Sequence, residues 1–346
     1  MSHLRLRPSA PSRSSGPSRR ALLALPLLAS APAGPTPAQA NPALPPGWPE
    51  RPIRMIVPAA GGAGTADTIA RILAQEFDKR LPQRTIIDNR PGANGNVGAA
   101  AAARAAPDGH TILFTWAGTM ATNRALYRDL PFDPERDFDP VILLGNVPNI
   151  LVVHNGLGVR TLEEFTAYVR ARPGQLSYGS SGNGSSMHLA GEMYRRATGT
   201  DMVHVPYSAV AQGMNDLIAG RIQVMFNLVT GVQGHVRQGN MTALAVLSEQ
   251  RARALPEVPT TAEAGMPGLV FGTWFCLMLP RGTPAAIRDA LNRLVNEVLA
   301  EPEARARLEA QGLDILGGTP DRLAQHLRAE IAAHAELVRF AGIRLD

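Results

Sequence analysis

Twice in this chain a short strand-forming run breaks into glycine and serine and then resumes as one face of a helix. That repeated order restricts the fold more than any other feature. The first instance is the run 53–57, ending at Pro58, followed by Ala59-Ala60-Gly61-Gly62-Ala63-Gly64-Thr65-Ala66-Asp67. Beyond it Ile69, Leu73, Phe77 and Leu81 recur every four residues, which predicts a helix over 65–81. Further strands are predicted at 85–87 and 111–115, with an alanine-rich helix over 97–105 between them. A β-α-β-α-β order implies parallel strands with helices on both faces.

The second instance follows a proline-rich, acidic segment at 131–140 and apolar runs at 141–144 and 150–153. Thr161-Leu162-Glu163-Glu164 is a capping box that opens a helix to about Arg170. A strand at 176–179 then enters Ser180-Ser181-Gly182-Asn183-Gly184-Ser185-Ser186, and a helix is predicted over 187–198. Later strands are expected at 203–205, 222–226 and 243–247. Thr283-Pro284 and Thr319-Pro320 each place a capping residue before a first-turn proline, so the C-terminal part reads as helical. Ile287, Leu291, Leu294 and Val298 form one apolar face there, and Leu323, Leu327 and Ile331 another. Two α/β units in 346 residues predict two lobes with a cleft where strand ends face each other.

The two glycine-rich loops carry the chemistry. Small residues let backbone N–H groups approach a ligand, and a helix start favours an anion. The first loop lacks the third glycine of a dinucleotide fingerprint, and no Gly-Lys-Ser/Thr follows. Asp67 reads either as part of the site or as a complement to the helix dipole. In the second loop Asn183 breaks the Gly-x-Ser-x-Gly pattern of a nucleophile elbow. Tyr207, in Val205-Pro206-Tyr207-Ser208, and Asn227, after 222–226, stand at strand ends where they could give directional hydrogen bonds.

Other function classes lack their residues. His188, His204 and His235 have no metal-ligand spacing, so no metal is expected. No paired nucleophile and base, and no complete phosphate loop, marks a catalytic residue or a cofactor site, so no enzyme is expected. Cys276 is the single cysteine, lying with Trp274 and Phe275 in an apolar run that reads as core. Aromatics make up 5% of the chain and no basic cluster interleaves with them, which disfavours nucleic acid.

Residues 1–40 are expected to be an export signal, outside the fold. Arg5, Arg7, Arg13, Arg19 and Arg20 precede or flank the short apolar run 21–29, and Ala38-Gln39-Ala40 offers a cleavage site. Ser18-Arg19-Arg20-Ala21-Leu22-Leu23 also fits a twin-arginine signal, so both export routes stay open. No stretch supplies about 18 uninterrupted apolar residues for a membrane span. The formal charge of +5 suggests an anionic partner, but the signal accounts for it. Removing its five arginines from the 34 basic residues leaves 29, equal to the 29 acidic ones.

The chain from about Arg51 onward resembles the Bug-type extracytoplasmic solute-binding proteins, the receptors of tripartite tricarboxylate transporters. The carriers are Ile56-Val57-Pro58 with the first glycine loop, Asp67-Thr68-Ile69-Ala70-Arg71, Asn89-Arg90-Pro91-Gly92-Ala93-Asn94-Gly95-Asn96 and Pro107-Asp108-Gly109-His110-Thr111. Pro173-Gly174 leading to Tyr178-Gly179-Ser180-Ser181-Gly182, Val205-Pro206-Tyr207, Val258-Pro259-Thr260, Glu263-Ala264-Gly265 and Leu279-Pro280-Arg281-Gly282-Thr283-Pro284 continue it in order. The resemblance implies an α/β, two-lobed periplasmic binding protein of type II. Lobe 1 would comprise 41–145 with 267–346, and lobe 2 would comprise 146–266. It implies a small carboxylate held by Ala60, Gly61, Gly62, Ala63, Gly64, Thr65 and Asp67 on one wall. Ser180, Ser181, Gly182, Asn183, Gly184 and Ser185 would form the other, with Tyr207 and Asn227 as side-chain contacts. It further implies a periplasmic monomer, cleaved near Ala40, that serves membrane permease subunits. A ligand-sensing module without transport, and less readily an α/β enzyme, are the alternatives. The sequence departs from the pattern by a first loop one residue longer, by Ala209 where glycine is common, and by Gln223 where aspartate is common.

Overall fold

A computed structural model describes residues 44–62 and 64–343, with the backbone alone at Phe340. The expected export signal and Ala63 lie outside the described residues. The first unit runs β1 (Ile53–Val57), α1 (Thr65–Asp78), β2 (Thr85–Asn89), α2 (Asn96–Ala103) and β3 (Thr111–Trp116), close to the predicted order. A π-helical turn (Gly118–Thr122) and short α3 (Asn123–Leu126) lead into β4 (Phe138–Val153). The second unit follows as α4 (Leu162–Arg170), β5 (Ser177–Ser180), α5 (Ser186–Thr198), β6 (Val203–Pro206), α6 (Val210–Ile218), β7 (Val224–Leu228), α7 (Val229–Arg237) and β8 (Thr242–Val246). The chain closes with β9 (Gly272–Pro280), α8 (Ala285–Ala300), α9 (Pro302–Ala310), β10 (Asp314–Ile315) and α10 (Pro320–Ala341).

The main sheet path is β2-β1-β3-β9-β4-β7-β5-β6. β1 lies between β2 and β3 and is parallel to both. β5 likewise lies between β6 and β7 in parallel. Each glycine-rich loop therefore leaves the central strand of a parallel triplet. Alternation along β1 explains how two faces are covered: Ile53, Met55 and Val57 pack with Ile69, Leu73 and Phe77 of α1. Ile56 points the other way, into a cluster with Ala99, Ala100 and Ala102 of α2. In the second unit Tyr178 packs with Ala190 and Tyr194 of α5, whereas Met225 packs with Met214 and Leu217 of α6 on the opposite face. Helices on opposite faces diverge at the end of the central strand, which opens a crevice there. The fold is an α/β, two-lobed architecture, with the strands of each lobe flanked by helices and a cleft between.

Two antiparallel strands join the units. The runs 141–144 and 150–153, separate in the sequence reading, belong to one strand, β4. Its stretch Phe138–Pro148 pairs with β9, and Asn149–Val153 pairs with β7 and β8. At the changeover Asn149 is fully buried; its N–H donates to Phe271 O at 3.0 Å and its Nδ2 to Phe226 O at 2.7 Å. β9 is the apolar run around Cys276, and this thiol is buried, with burial pushing its pKa well up. The capping box at Thr161 forms as predicted, with its side chain accepting from Glu164 N–H. Thr319 caps α10, but Thr283 does not cap α8: Pro284 holds that position, and Thr283 donates to Pro280 O instead.

Candidate functional site

The first loop is built around Asp67. This side chain is buried, and its Oδ2 accepts from Gly62 N–H at 2.9 Å and from Arg71 Nε at 2.7 Å. Its Oδ1 accepts from Asn89 Nδ2 at 2.8 Å, and that amide also reaches Ala59 O at 3.1 Å. Burial pushes the Asp67 pKa up, but the hydrogen bonds from Arg71, Asn89 and Gly62 outweigh it and hold the carboxyl below its usual range. Asp67 thus shapes the loop, and it does not line the cavity. Gly64, at φ 89°, is the N-cap of α1 and leaves the helix start without a side-chain cap. The first N–H groups of α1 are therefore not consumed by a capping side chain.

The second loop rests on a stacked histidine pair. His188 and His204 are 3.7 Å apart between ring centroids and nearly parallel, and Tyr178 stacks on His204. Gly184 N–H donates to His188 Nδ1 at 3.1 Å, and Ser180 Oγ lies 2.6 Å from His204 Nε2. Burial, reinforced by the His204 and Arg195 charges, lowers the His188 pKa to about 3. Burial likewise lowers that of His204 to about 4, with Glu192 opposing the shift. Both rings are neutral near pH 7, and the neutral His188 can accept the Gly184 N–H. Ser185 caps α5 by accepting from His188 N–H.

Between the loops lies a cavity of about 410 Å³. From the predicted residues it is lined by Ala60, Gly64, Thr65, Ser181, Ser185 and Asn227. Gly61, Gly62, Asp67, Ser180, Gly182, Asn183, Gly184 and Tyr207 stand outside its lining. Tyr207 is turned away, its hydroxyl donating to Asp216 at 2.9 Å, and the next residue, Ser208, lines the cavity instead. Asn227 is buried, with its Oδ1 accepting from Leu228 N–H. Gln223 is also outside the lining; it ties β5 to β7 by accepting from Ser177 N–H at 2.9 Å.

The starts of α1, α2, α5, α6 and α7 all reach this cavity, through Thr65, Gly95, Ser186, Val210 and Leu228 with their neighbours. No lysine or arginine is among its described lining residues. Partial positive charge from several helix starts reaches the cavity without a lysine or arginine side chain beside it. Such a donor set can hold a small anion.

Sequence reasoning misses three walls. Pro91, Gly92, Asn94 and Gly95 form one. Their turn chemistry is visible in the chain, and only their approach to the cleft is not. Ala93 and Asn94 take positive φ values of 46° and 50° there, and Asn123 braces the turn by donating to Asn94 O at 3.0 Å. Trp116, Gly118 and Thr122 form the second wall, and Thr273, Phe275 and His334 the third. No sequence signal marks the third, because its residues reach the cleft from β9 and α10.

The sequence profile of the tripartite tricarboxylate transporter family receptor matches residues 69–343. The chain belongs to this receptor family. The receptor is 36% identical over 299 residues to protein BugT of Bordetella pertussis, covering 86% of this chain and 91% of that one. Among solved structures it superposes on R. palustris Rpa4515 with adipate at a TM-score of 0.81 and 36% identity, covering 86% of this chain and 99% of that one. MatC from Rhodopseudomonas palustris, with bound malate, gives a TM-score of 0.76 at 33% identity, covering 84% of this chain and all of that one (100%).

Proposed function

We propose that this receptor captures a small organic carboxylate in the cleft and presents it to membrane permease subunits. The observation that carries this reading is the convergence of five helix starts on a cavity whose described lining includes no lysine or arginine. A carboxylate is the ligand class that such N–H groups satisfy best. Two relatives of the same fold hold adipate and malate, which supports the same class here. Ala60, Gly64 and Thr65 would contact the ligand from one side, and Ser181, Ser185 and Asn227 from the other. Asp67, Ser180 and Gly184 would support it from behind the loops.

The two lobes would be 41–145 with 267–346, and 146–266, moving about β4 and β9 near Asn149. Closure would complete the donor set and expel water, and the ligand would hold the closed state by its higher affinity for it. The receptor would work as a periplasmic monomer after cleavage near Ala40, and it would bind without turning its ligand over. No helix among the described residues is long and apolar enough to cross a membrane. A thermal-shift screen of mono-, di- and tricarboxylates tests the reading. At least one acid should raise Tm in a concentration-dependent way. Stabilisation by sugars or cations with none by any carboxylate, amino acids included, would overturn it.

A further inference from the structure

One side of the cavity carries a buried polar relay that the glycine-rich loops do not use. Thr122, at the end of the π-helical turn, and His334, on α10, both line the cavity and are each at most 5% exposed. Thr122 Oγ1 lies 2.7 Å from His334 Nδ1. The other ring nitrogen, Nε2, lies 3.3 Å from Glu330 Oε2, one turn earlier on α10. That same oxygen accepts from Trp274 Nε1 at 2.8 Å. His326, also on α10, meets Trp274 edge-on, and Phe271 packs beside the His334 ring.

The proton positions along this relay follow from the carboxylate. Burial pushes the Glu330 pKa up, but the hydrogen bonds from His334 and Trp274 oppose it, and the carboxyl lies below its usual range. An ionised carboxylate only accepts, so the hydrogen between Glu330 and His334 belongs to Nε2. In the form of the ring that carries a single proton, that proton sits on Nε2 and Nδ1 keeps a lone pair. The Thr122 hydroxyl then donates its single hydrogen to Nδ1, and the capacity it offers toward the cavity is that of an acceptor alone. A carboxylate oxygen gains nothing from such a group, whereas a hydroxyl gains a hydrogen bond.

We propose that Thr122, oriented by His334 and Glu330, is a specificity-determining residue that accepts a hydrogen bond from a hydroxyl on the ligand, so that the receptor selects hydroxylated carboxylic acids over their deoxy counterparts. This rests on the carboxylate reading above and deepens it: the helix starts hold the acid group, and the relay reads a second group on the same molecule. Thr122 would touch the ligand, while His334 and Glu330 are positioning residues. A buried acceptor left unpaired by a deoxy ligand penalises that ligand, which makes discrimination of this kind strong.

Calorimetric titration of matched pairs tests the proposal: lactate against propionate, 3-hydroxybutyrate against butyrate, malate against succinate, and citrate against tricarballylate. In at least one pair the hydroxylated member should bind at least about tenfold more tightly. Thr122→Val should reduce that ratio to near one, and Thr122→Ser should preserve it. Glu330→Gln should lower the ratio, because an amide can either donate or accept and no longer fixes the histidine tautomer. If Thr122→Val fails to fold, the wild-type ratios with Thr122→Ser and Glu330→Gln still decide the matter. Acids that bind without any hydroxyl preference would overturn this inference and leave the carboxylate reading intact. So would a preference for the deoxy members of the pairs, which would mark Thr122 as a donor toward the ligand. If a carboxylic acid outside the panel binds and no hydroxylated acid does, this inference falls alone; if no carboxylic acid binds, both readings fall together.

Discussion

The hydroxyls of Thr65 and Thr230 lie 2.5 Å apart, joining the first turn of α1 to the first turn of α7 across one edge of the cavity. The two residues are 165 positions apart and belong to different α/β units. This bond can form only when the two helix starts are together, so it favours the approximated arrangement of the cleft. Thr230→Val removes it without changing a described lining residue. A hydrogen bond of this kind contributes about 1 kcal/mol, so ligand affinity should fall roughly fivefold. Titration calorimetry would show it, with the loss concentrated in a faster off-rate. Unchanged affinity would mean that the bond does not contribute to the ligand-bound state.

Asp67 should behave as a loop support whose loss is felt in the cleft. Asp67→Asn keeps the volume but weakens the charge-assisted bond to Arg71 and turns one acceptor into a donor facing an N–H group. The expected destabilisation is about 1.5–3 kcal/mol by urea unfolding. Ligand affinity should fall as well, although Asp67 lies outside the cavity lining. Because its folded pKa is below the unfolded value, its contribution is present above about pH 4 and is lost as pH falls further. Asp67→Asn should therefore flatten the acid limb of the stability curve. A variant with wild-type stability and an unchanged limb would remove Asp67 from that role.

The stacked histidines set a second acid response. Their folded pKa values, about 3 for His188 and about 4 for His204, are below the ordinary 6.5. The unfolded chain thus binds more protons below 6.5. Stability should be full above that pH and fall as pH drops toward 3. For His188 the slope reaches up to about 1.4 kcal/mol per pH unit, and His204 acts in the same direction. Denaturant unfolding between pH 4 and pH 7 measures this. Replacing His204 by Phe should reduce the slope; a slope that stays as steep would place the acid response elsewhere.

Gly184 should tolerate no side chain. Its φ is 76°, and an added Cβ would lie 2.1 Å from Leu126 Cδ1. Gly184→Ala forces a strained backbone and a shift of Leu126, at an expected cost of about 1–3 kcal/mol. Differential scanning calorimetry should show a lower Tm. Leu126→Ala in the same chain should recover part of that loss by opening space. Additive losses in the double variant would show that contact with Leu126 is not the cause.

Elements that repeat a local pattern are legible in the amino-acid sequence. The i, i+4, i+8 spacing of Ile69, Leu73 and Phe77 gives α1, which stops at Asp78 before the expected Leu81, and the box at Thr161 and Glu164 gives the start of α4. The β4 strand reads as two pieces because its middle, Gly145-Asn146-Val147-Pro148, lacks strand propensity. Pairing with β9 carries the strand through that stretch. Tyr207 reads as a site residue because a strand-end tyrosine is a good ligand contact. Asp216, nine positions later on α6, takes its hydroxyl instead, and no local signal announces that choice.

By itself the sequence determined the class of the fold, the two glycine-rich loops and the balance of charge. It did so because strand–loop–helix order, turn chemistry and formal charge are local or additive properties. The basic balance that hinted at an anionic partner belongs to residues 1–40, and residues 41–346 are formally neutral. Only the tertiary structure decided which loop residues face the cleft and which hold the loops from behind. Asp67 and Ser181 look equally functional in sequence, yet one is buried beneath its loop and the other lines the cavity. The structure alone also brought Thr122 and His334 together, from positions 212 residues apart. Hydrogen-bond partners across such separations are fixed by packing of the whole core, and pairwise order along the chain carries no record of them.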